Sequence, residues 1–244
     1  RAWRDRLEAF ERAQGQKMTR GHNFKPHLLF PWVDEIVHSP AVLDAVEDLI
    51  GPDIRLFHLS VWPKDPGSGA YVSWHQDSTY FGLTPHEHVT AWIALTDAGS
   101  EAGCMEVVSN RGQHHQYHHA AAHLPNSING AGQVIVEPID TGETAFMELK
   151  AGEMSLHHVL LVHGSGVNNA KLPRVGFAIR YIPTRLRQLG IDRTSATLAR
   201  GRDTYGHFDH ELRPEGAMHP AAVERHRQIT EAQLNVLYAG ASKA

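Results

Sequence analysis

The tetrapeptide Trp74-His75-Gln76-Asp77 places an imidazole and a carboxylate two residues apart. Side chains two apart on a β-strand point to the same face, so a strand here would present His75 and Asp77 side by side. With a third histidine they would form the two-histidine, one-carboxylate set that binds non-haem Fe(II) and leaves coordination positions open. The tripeptide His-x-Asp also occurs by chance, so alone it does not establish a metal site.

A third metal ligand is available in the segment 156–165, which contains His157, His158 and His163. Any of the three would complete the set. If this strand is regular, one of the adjacent pair His157 and His158 shares the face of His163, where it would contact substrate or form structural hydrogen bonds. The segment alone leaves these alternatives open.

The segment 174–181 alternates bulky side chains with basic or small ones. The odd positions should pack on one side: Val175, Phe177, Ile179 and Tyr181. The even positions are Arg174, Gly176, Ala178 and Arg180. An arginine followed by two small residues would suit a small dicarboxylate, because a guanidinium binds a carboxylate through two hydrogen bonds. The alternative is that Arg174 is solvated at the start of the strand.

Helical patterns lie near both ends of the chain. The spacing of apolar residues predicts helices at about 2–13, 39–50 and 219–238. In the second of these, Val42, Val46 and Leu49 form one apolar stripe. We expect these helices to flank the part of the chain that carries the candidate ligands.

Short strand-like runs separated by turn residues occupy the middle of the chain. The candidates are 54–62, 70–76, 88–96, 103–108, 133–138, 144–149, 154–160 and 174–182. Consecutive strands without intervening helices favour an antiparallel sandwich or jelly roll over a parallel α/β sheet. The sequence therefore predicts one mostly β domain over residues 1–244, with a core at about 54–190.

The combined motifs resemble the phytanoyl-CoA dioxygenase family. The motif His75-x-Asp77 comes first, and His163-Gly-Ser165 begins 86 residues after Asp77. Arg174 lies eleven residues beyond His163. The resemblance covers roughly residues 54–190. It implies a double-stranded β-helix (a cupin-like jelly roll), Fe(II) as the metal, and 2-oxoglutarate and O2 as cosubstrates.

The resemblance also implies roles for individual residues. His75, Asp77 and His163 would bind the iron. Arg174 would hold the distal carboxylate of 2-oxoglutarate, with help from Ser165, and Trp92 corresponds to a tryptophan that contacts the cosubstrate. These residues would support hydroxylation of an unactivated C–H bond, coupled to conversion of 2-oxoglutarate into succinate and CO2.

Other functions remain open at this point. Related halogenases replace the metal-binding carboxylate with Ala or Gly, so Asp77 favours hydroxylation over halogenation; desaturation is another variant of the same chemistry. A jelly roll that binds metal or ligand without turnover would have no need of Arg174. Zinc hydrolysis is the third alternative, but the sequence has no His-Glu-x-x-His motif.

Residues near the candidate ligands are expected to contact the substrate, which would be a small acid or zwitterion. Lys64, in a turn before the His75 segment, would meet an anionic group. Aromatic pocket walls and polar contacts complete the set: Tyr71, Tyr80, Phe81, His157 and Arg180. The histidine-rich tract 114–119 is either a solvated loop or, less simply, a second metal site.

Composition narrows the class of protein. A net charge of −4 argues against binding of nucleic acid. No apolar run reaches the roughly 20 residues that span a bilayer. The single cysteine, Cys104, cannot form an internal disulfide, so a reducing, cytoplasmic setting is predicted. The chain begins at Arg1, so we expect an upstream segment; the oligomeric state is left open.

Overall fold

Helices flank the strands at both ends of the chain, as the sequence predicts. The computed structural model describes these residues: 2–15, 17–18, 20–122, 124–129, 133–189 and 193–241. The α-helices are Ala2–Gln14 (α1), Arg20–Asn23 (α2), Pro31–Val37 (α3), Pro40–Ile50 (α4), Ser78–Phe81 (α5) and Pro220–Ala241 (α6). The three expected helices correspond to α1, α4 and α6, within a few residues of their predicted bounds.

The β-strands occupy the middle of the chain and form two principal sheets. Their bounds are Ile54–Lys64 (β1), Val72–His75 (β2), Leu83–Thr84 (β3), Val89–Ala94 (β4), Met105–Val108 (β5), His119–Ala121 (β6), Gln133–Ile135 (β7), Thr144–Met147 (β8), Met154–His158 (β9), His163–Ser165 (β10), Arg174–Pro183 (β11), Arg187–Gln188 (β12), Ser195–Arg200 (β13) and Asp209–His210 (β14). The larger sheet has the order β14-β13-β1-β11-β4-β9, and the smaller sheet has the order β2-β10-β5-β8. This mostly β architecture of antiparallel sheets, with helices at both ends, confirms the predicted jelly-roll class.

Six of the described strands lie where none was predicted, namely β3, β6, β10, β12, β13 and β14. Strand β10 has only three residues, too few to give an alternating pattern in the sequence. Strand β13 pairs with β1 although it lies beyond residue 190, the predicted end of the core. The other predicted strands are present, most of them trimmed by a few residues at their ends.

The long strand β11 divides its side chains between two environments, as its sequence predicts. Phe177, Ile179 and Tyr181 are fully buried in the main hydrophobic core, together with residues of α3 and α4. The hydroxyl of Tyr181 donates a hydrogen bond to the carbonyl of Val37 at the end of α3 (2.9 Å). Packing of this face against the helices leaves the opposite face of β11 directed toward the smaller sheet.

Helix α4 covers this core with a face that matches the predicted apolar stripe only in part. Val42 and Val46 are buried, but Leu49 is 59% exposed. The assignment of Leu49 to the apolar stripe is therefore wrong. Leu43 and Ile50, which are seven residues apart and so lie on one side of the helix, complete the buried face instead.

Within the described part of the chain, none of the helices is long and apolar enough to cross a membrane.

Candidate metal centre

The three predicted metal ligands lie together between the two sheets. His75 ends β2 and His163 begins β10, and the two residues face each other directly in the antiparallel pair. The potential ligand atoms of His75, Asp77 and His163 all lie within 4.8 Å of one another, and all three residues are buried. Among the described residues this is the one such group.

The backbone conformation at Asp77 differs from the predicted β-strand. Strand β2 ends at His75, and Asp77 is the N-cap residue of α5 with helical backbone angles (φ −64°, ψ −26°). The expectation that His75 and Asp77 share one face of a strand is therefore wrong. The chain turns immediately after His75, and this turn brings the carboxylate beside the imidazole, with 3.9 Å between His75 Nε2 and Asp77 Oδ1.

Gln76 fixes this turn from the opposite side. Its side chain is fully buried, and its Nε2 donates to the carbonyls of His115 and Leu160, both at 2.6 Å. Its Oε1 accepts from the backbone N–H of Tyr117 (2.8 Å), and its own backbone N–H donates to Nε2 of His119 (3.0 Å). The residue between the two ligands is therefore held by the loop 115–119 and the turn before β10.

These contacts give the histidine-rich tract a structural role that the sequence did not reveal. His119 is buried, and its Nδ1 donates to the carbonyl of Tyr117 (2.9 Å), so its Nε2 is free to accept from Gln76. His114 and His115 are exposed, and the ring of His114 stacks on His158 with centroids 3.9 Å apart. The described part of the tract belongs to no second metal-ligating group.

Hydrogen bonds orient both imidazoles of the cluster toward its centre. Nδ1 of His75 donates to the carbonyl of Ser73, and Nδ1 of His163 donates to the carbonyl of Leu161, both at 2.9 Å. Each ring therefore keeps Nε2 available as a ligand. Burial lowers the pKa of His75, and burial together with the neighbouring histidine rings lowers the pKa of His163 well below its usual value. Both rings are neutral at pH 7, the form that binds metal.

Asp77 is held in its ionised form by residues of the larger sheet. Thr90 Oγ1 donates to Asp77 Oδ2 (2.7 Å), and Arg180 Nη2 donates to Asp77 Oδ1 (3.3 Å). Burial alone would raise the pKa of this carboxyl. The guanidinium of Arg180 and the nearby rings of His157 and His163 hold the pKa well below its usual value instead.

A cavity opens beside the cluster, and its floor is the inner face of the larger sheet. The register of the strands arranges this face in rows. One row is His58, Arg180, Thr90 and His157, and the next is Ser60, Ala178, Trp92 and Ser155. The first row supplies the polar contacts to Asp77, and the second row is mostly small residues beside the indole of Trp92.

The far end of the cavity is shaped to receive an anion. Arg174 is 3% exposed, and its guanidinium lies 5.2 Å from the ring centre of Trp92. A Cβ atom at Gly176 would overlap this indole ring, so glycine is required for the packing. Nε of Arg174 is buried and has no hydrogen-bond partner among the described residues. Ser165, from the smaller sheet, also lines this end.

These features fit the predicted metal and cosubstrate. Two neutral imidazoles and one carboxylate are a donor set that Fe(II) accepts, and they occupy only part of its coordination shell. A buried guanidinium with an unpaired N–H fits the second carboxylate of a dicarboxylic acid at the other end of the same cavity.

The residues expected to contact substrate fall into three groups. His157 and Arg180 line the cavity. Lys64 is the last residue of β1 and is 1% exposed, so its assignment to a flexible turn is wrong; its Nζ donates to Ser165 Oγ behind the cavity. Phe81 packs in a separate apolar cluster with Phe57, which places it in core packing instead of a pocket wall.

Tyr71 is not among the residues that line the cavity. Tyr71 is half-buried and forms a β-bridge with Ser127. The side chain of Tyr80 lies outside the described residues. Gln76, Thr90 and His119 were not predicted as site residues; for Thr90 the signal was present, because it shares a strand face with Trp92.

The fold and the donor set together are those of the non-haem Fe(II) oxygenase class. Residues 1–176 match the phytanoyl-CoA dioxygenase family. The chain is also similar in structure to the apo form of the non-heme monooxygenase ThoJ, with a TM-score of 0.85 and 31% identity over 100% of this chain and 90% of that one. This chain belongs to the phytanoyl-CoA dioxygenase family, whose members use Fe(II), 2-oxoglutarate and O2, as the sequence motifs predicted.

Two curated relatives match a smaller part of the chain. The first is a probable alpha-ketoglutarate-dependent hypophosphite dioxygenase from Stutzerimonas stutzeri, 29% identical over 157 residues (64% of this chain and 54% of the relative). The second is a probable phytanoyl-CoA dioxygenase from Caenorhabditis elegans, 27% identical over 158 residues (62% and 51%). The chain spans about half the length of these relatives.

Proposed function

We propose that this protein is an Fe(II)- and 2-oxoglutarate-dependent dioxygenase that hydroxylates an unactivated C–H bond of a small molecule. The observation that carries the proposal is the position of two sites in one cavity. The His75, Asp77 and His163 cluster lies on one side, and the guanidinium of Arg174, whose Nε has no hydrogen-bond partner among the described residues, lies on the other. A 2-oxo dicarboxylic acid has a chelating end and an anionic end that would suit both.

In this proposal each residue of the cluster has a defined task. His75, Asp77 and His163 bind Fe(II), and Thr90 and Arg180 keep the Asp77 carboxylate ionised and oriented. When bound, Fe(II) and 2-oxoglutarate would activate O2, with one oxygen atom going into succinate, the other into the hydroxylated product, and CO2 released. The protein contributes the orientation of the metal ligands and of the cosubstrate.

The cosubstrate would be held by Arg174, Ser165 and Trp92. The guanidinium of Arg174 would bind the distal carboxylate through paired hydrogen bonds, and the hydroxyl of Ser165 would add a third. The indole of Trp92 fixes the guanidinium from one face. Burial lowers the pKa of Arg174 to about 10, so the guanidinium stays charged at neutral pH.

The substrate would approach beside His157 and Arg180. His157 is buried in the cavity wall, and both of its ring nitrogens lack hydrogen-bond partners in the described structure. Its Nε2 is 3.7 Å from Asp77, too far for a hydrogen bond. An unpaired buried imidazole next to a guanidinium favours a substrate with an acidic or zwitterionic group.

Two observations argue against halogenation and against storage of metal without turnover. The metal-binding carboxylate is present as Asp77, whereas halogenation needs that position open for chloride. A jelly roll that only stores metal would gain nothing from a buried arginine that has no carboxylate partner among the described residues, because such a charge is costly without a ligand.

Anaerobic titration with Fe(II) and then 2-oxoglutarate tests the proposal. We expect a weak charge-transfer absorption in the visible range when the 2-oxo acid binds the iron, and succinate release under air with a suitable small acid. Asp77→Ala, which removes one of the three metal ligands, should abolish succinate release, whereas Asp48→Ala, which removes an exposed aspartate on α4, should change neither signal. An iron-loaded protein without the absorption, or an Asp77→Ala variant with unchanged turnover, would refute the proposal.

A further inference from the structure

Two buried cations lie directly opposite each other at the far end of the cavity. Lys64 on β1 and Arg174 on β11 are paired in the antiparallel register, and they are 1% and 3% exposed. Neither forms an ion pair with a carboxylate in the part of the chain that the structure describes. Like charges directly opposite on neighbouring strands destabilise a sheet, and buried charges are costly without a partner. This arrangement calls for an anion.

We propose that Lys64 is a second cation of the site for the distal carboxylate of 2-oxoglutarate, beside Arg174, and that it acts through Ser165. This inference rests on the proposed function and adds a positioning residue to it. It also replaces the expectation that Lys64 contacts the substrate.

The hydrogen bonds of Lys64 orient Ser165 for this task. Nζ of Lys64 donates to Ser165 Oγ (2.7 Å), to the carbonyl of Gly103 (3.2 Å) and to the carbonyl of Gly166. An ammonium has three N–H donors, so these three acceptors use all of them. Because Ser165 Oγ accepts from Lys64, its own proton is available to the cavity that Ser165 lines.

The backbone around Lys64 is arranged to make these contacts. Gly103 has φ 66°, and a Cβ atom there would overlap the carbonyl oxygens of Gly166 and Val167. Glycine therefore allows the loop before β5 and the loop after β10 to meet at the lysine. The side chain of Asn168 adds a further link, since its Nδ2 donates to the backbone carbonyl of Lys64 (2.9 Å).

The charges that face Lys64 make its protonation sensitive to a bound anion. Burial, reinforced by the guanidinium of Arg174, lowers the pKa of Lys64 to about 7. The adjacent Cys104 does not neutralise the lysine, because burial raises the thiol pKa to about 11. Asp65, next in the chain, is paired with Lys17. A carboxylate bound beside Arg174 would raise the pKa of Lys64, so binding above pH 7 should take up a proton.

The test compares two ligands that share the chelating 2-oxo acid group. 2-Oxoglutarate has the distal carboxylate, and 2-oxovalerate has a methyl group in its place. Both are titrated into the anaerobic Fe(II) protein, and binding is followed by the charge-transfer absorption and by calorimetry. Lys64→Met should weaken 2-oxoglutarate binding by roughly 10- to 100-fold, the usual range for a hydrogen-bonded charge, and leave 2-oxovalerate unchanged.

The matched control is Lys171→Met, which removes an exposed lysine from the loop before β11 and should affect neither ligand. Equal effects of Lys64→Met on both ligands, or no effect, would overturn the inference while the proposed function stands. A wild-type protein that binds neither ligand would overturn both.

Calorimetry of the wild-type protein keeps the inference testable if Lys64→Met does not fold. At pH 8, in buffers of different ionisation enthalpy, 2-oxoglutarate should bind with net proton uptake and 2-oxovalerate without it. The affinity of the protein for 2-oxoglutarate should fall as the pH rises above 7. Identical proton uptake for the two ligands would overturn the inference.

Discussion

At the scale of single residues, the site depends on polar atoms whose partners are only partly supplied by the protein. The Asp77 carboxylate is satisfied by Thr90 and Arg180, and its low pKa keeps it charged. Arg174 and His157 differ, since each keeps a buried nitrogen without a hydrogen-bond partner among the described residues. Because such groups cost free energy in the empty protein, they mark the positions where ligands should bind.

His157→Phe tests this reasoning on the substrate side of the cavity. Phenylalanine keeps the aromatic ring but removes both nitrogens, so the substrate found by succinate release should need an about tenfold higher concentration for half-maximal rate. The affinity for 2-oxoglutarate, measured anaerobically, should stay the same. His118→Phe, at an exposed position of the histidine-rich tract, is the control. An equal loss of 2-oxoglutarate affinity would place His157 in the cosubstrate site instead.

At the scale of secondary structure, the strands with clear alternation were predictable and the turns were not. Strand β11 separates its core side from its cavity side as the alternation of Phe177 and Ala178 indicates. The position of Asp77 could not be derived in this way, because it depends on a turn held by contacts far away in sequence. Gln76 reaches Leu160, 84 residues later, and no local pattern encodes that hydrogen bond.

Gln76→Leu tests the importance of this turn. Leucine has a similar size but cannot bond the loop 115–119 or the carbonyl of Leu160, so the two ligands on either side of it lose their support. We expect Fe(II) to bind about 10- to 100-fold more weakly, as is typical when residues that orient metal ligands are removed. Competition with a coloured chelator under anaerobic conditions measures the affinity. Gln113→Leu, exposed in the adjacent loop, should bind iron normally, and equal affinity of both variants would contradict the prediction.

At the scale of the whole molecule, a second buried charge cluster joins segments from both ends of the chain. Lys25, which precedes α3, pairs with Glu211, which follows β14, and both side chains are fully buried. Thr197 and Ser195 of β13 donate to the same carboxylate at 2.6 and 2.8 Å. The backbone N–H of Lys25 donates to the carbonyl of Leu59 on β1 (2.7 Å). Residues 186 positions apart are thereby fastened to the larger sheet, a connection that the sequence did not predict.

Glu211→Gln separates the stability of the fold from the chemistry of the cavity. Glutamine keeps the shape of the side chain but leaves the ammonium of Lys25 buried without its counter-charge. Loss of one partner of a buried pair typically lowers the free energy of unfolding by about 3–5 kcal/mol, which urea denaturation at pH 7 measures. Glu215→Gln, at an exposed position of the same segment, should change the stability little.

Lys25, Arg174 and Lys64 are all buried cations, but only Lys25 has a carboxylate of the protein beside it in the described structure. In the iron-loaded wild-type protein, 2-oxoglutarate should therefore raise the stability through the cavity site and not through Lys25. Glu211→Gln should shift the denaturation midpoint equally with and without the cosubstrate, and unequal shifts would show that the two sites are coupled.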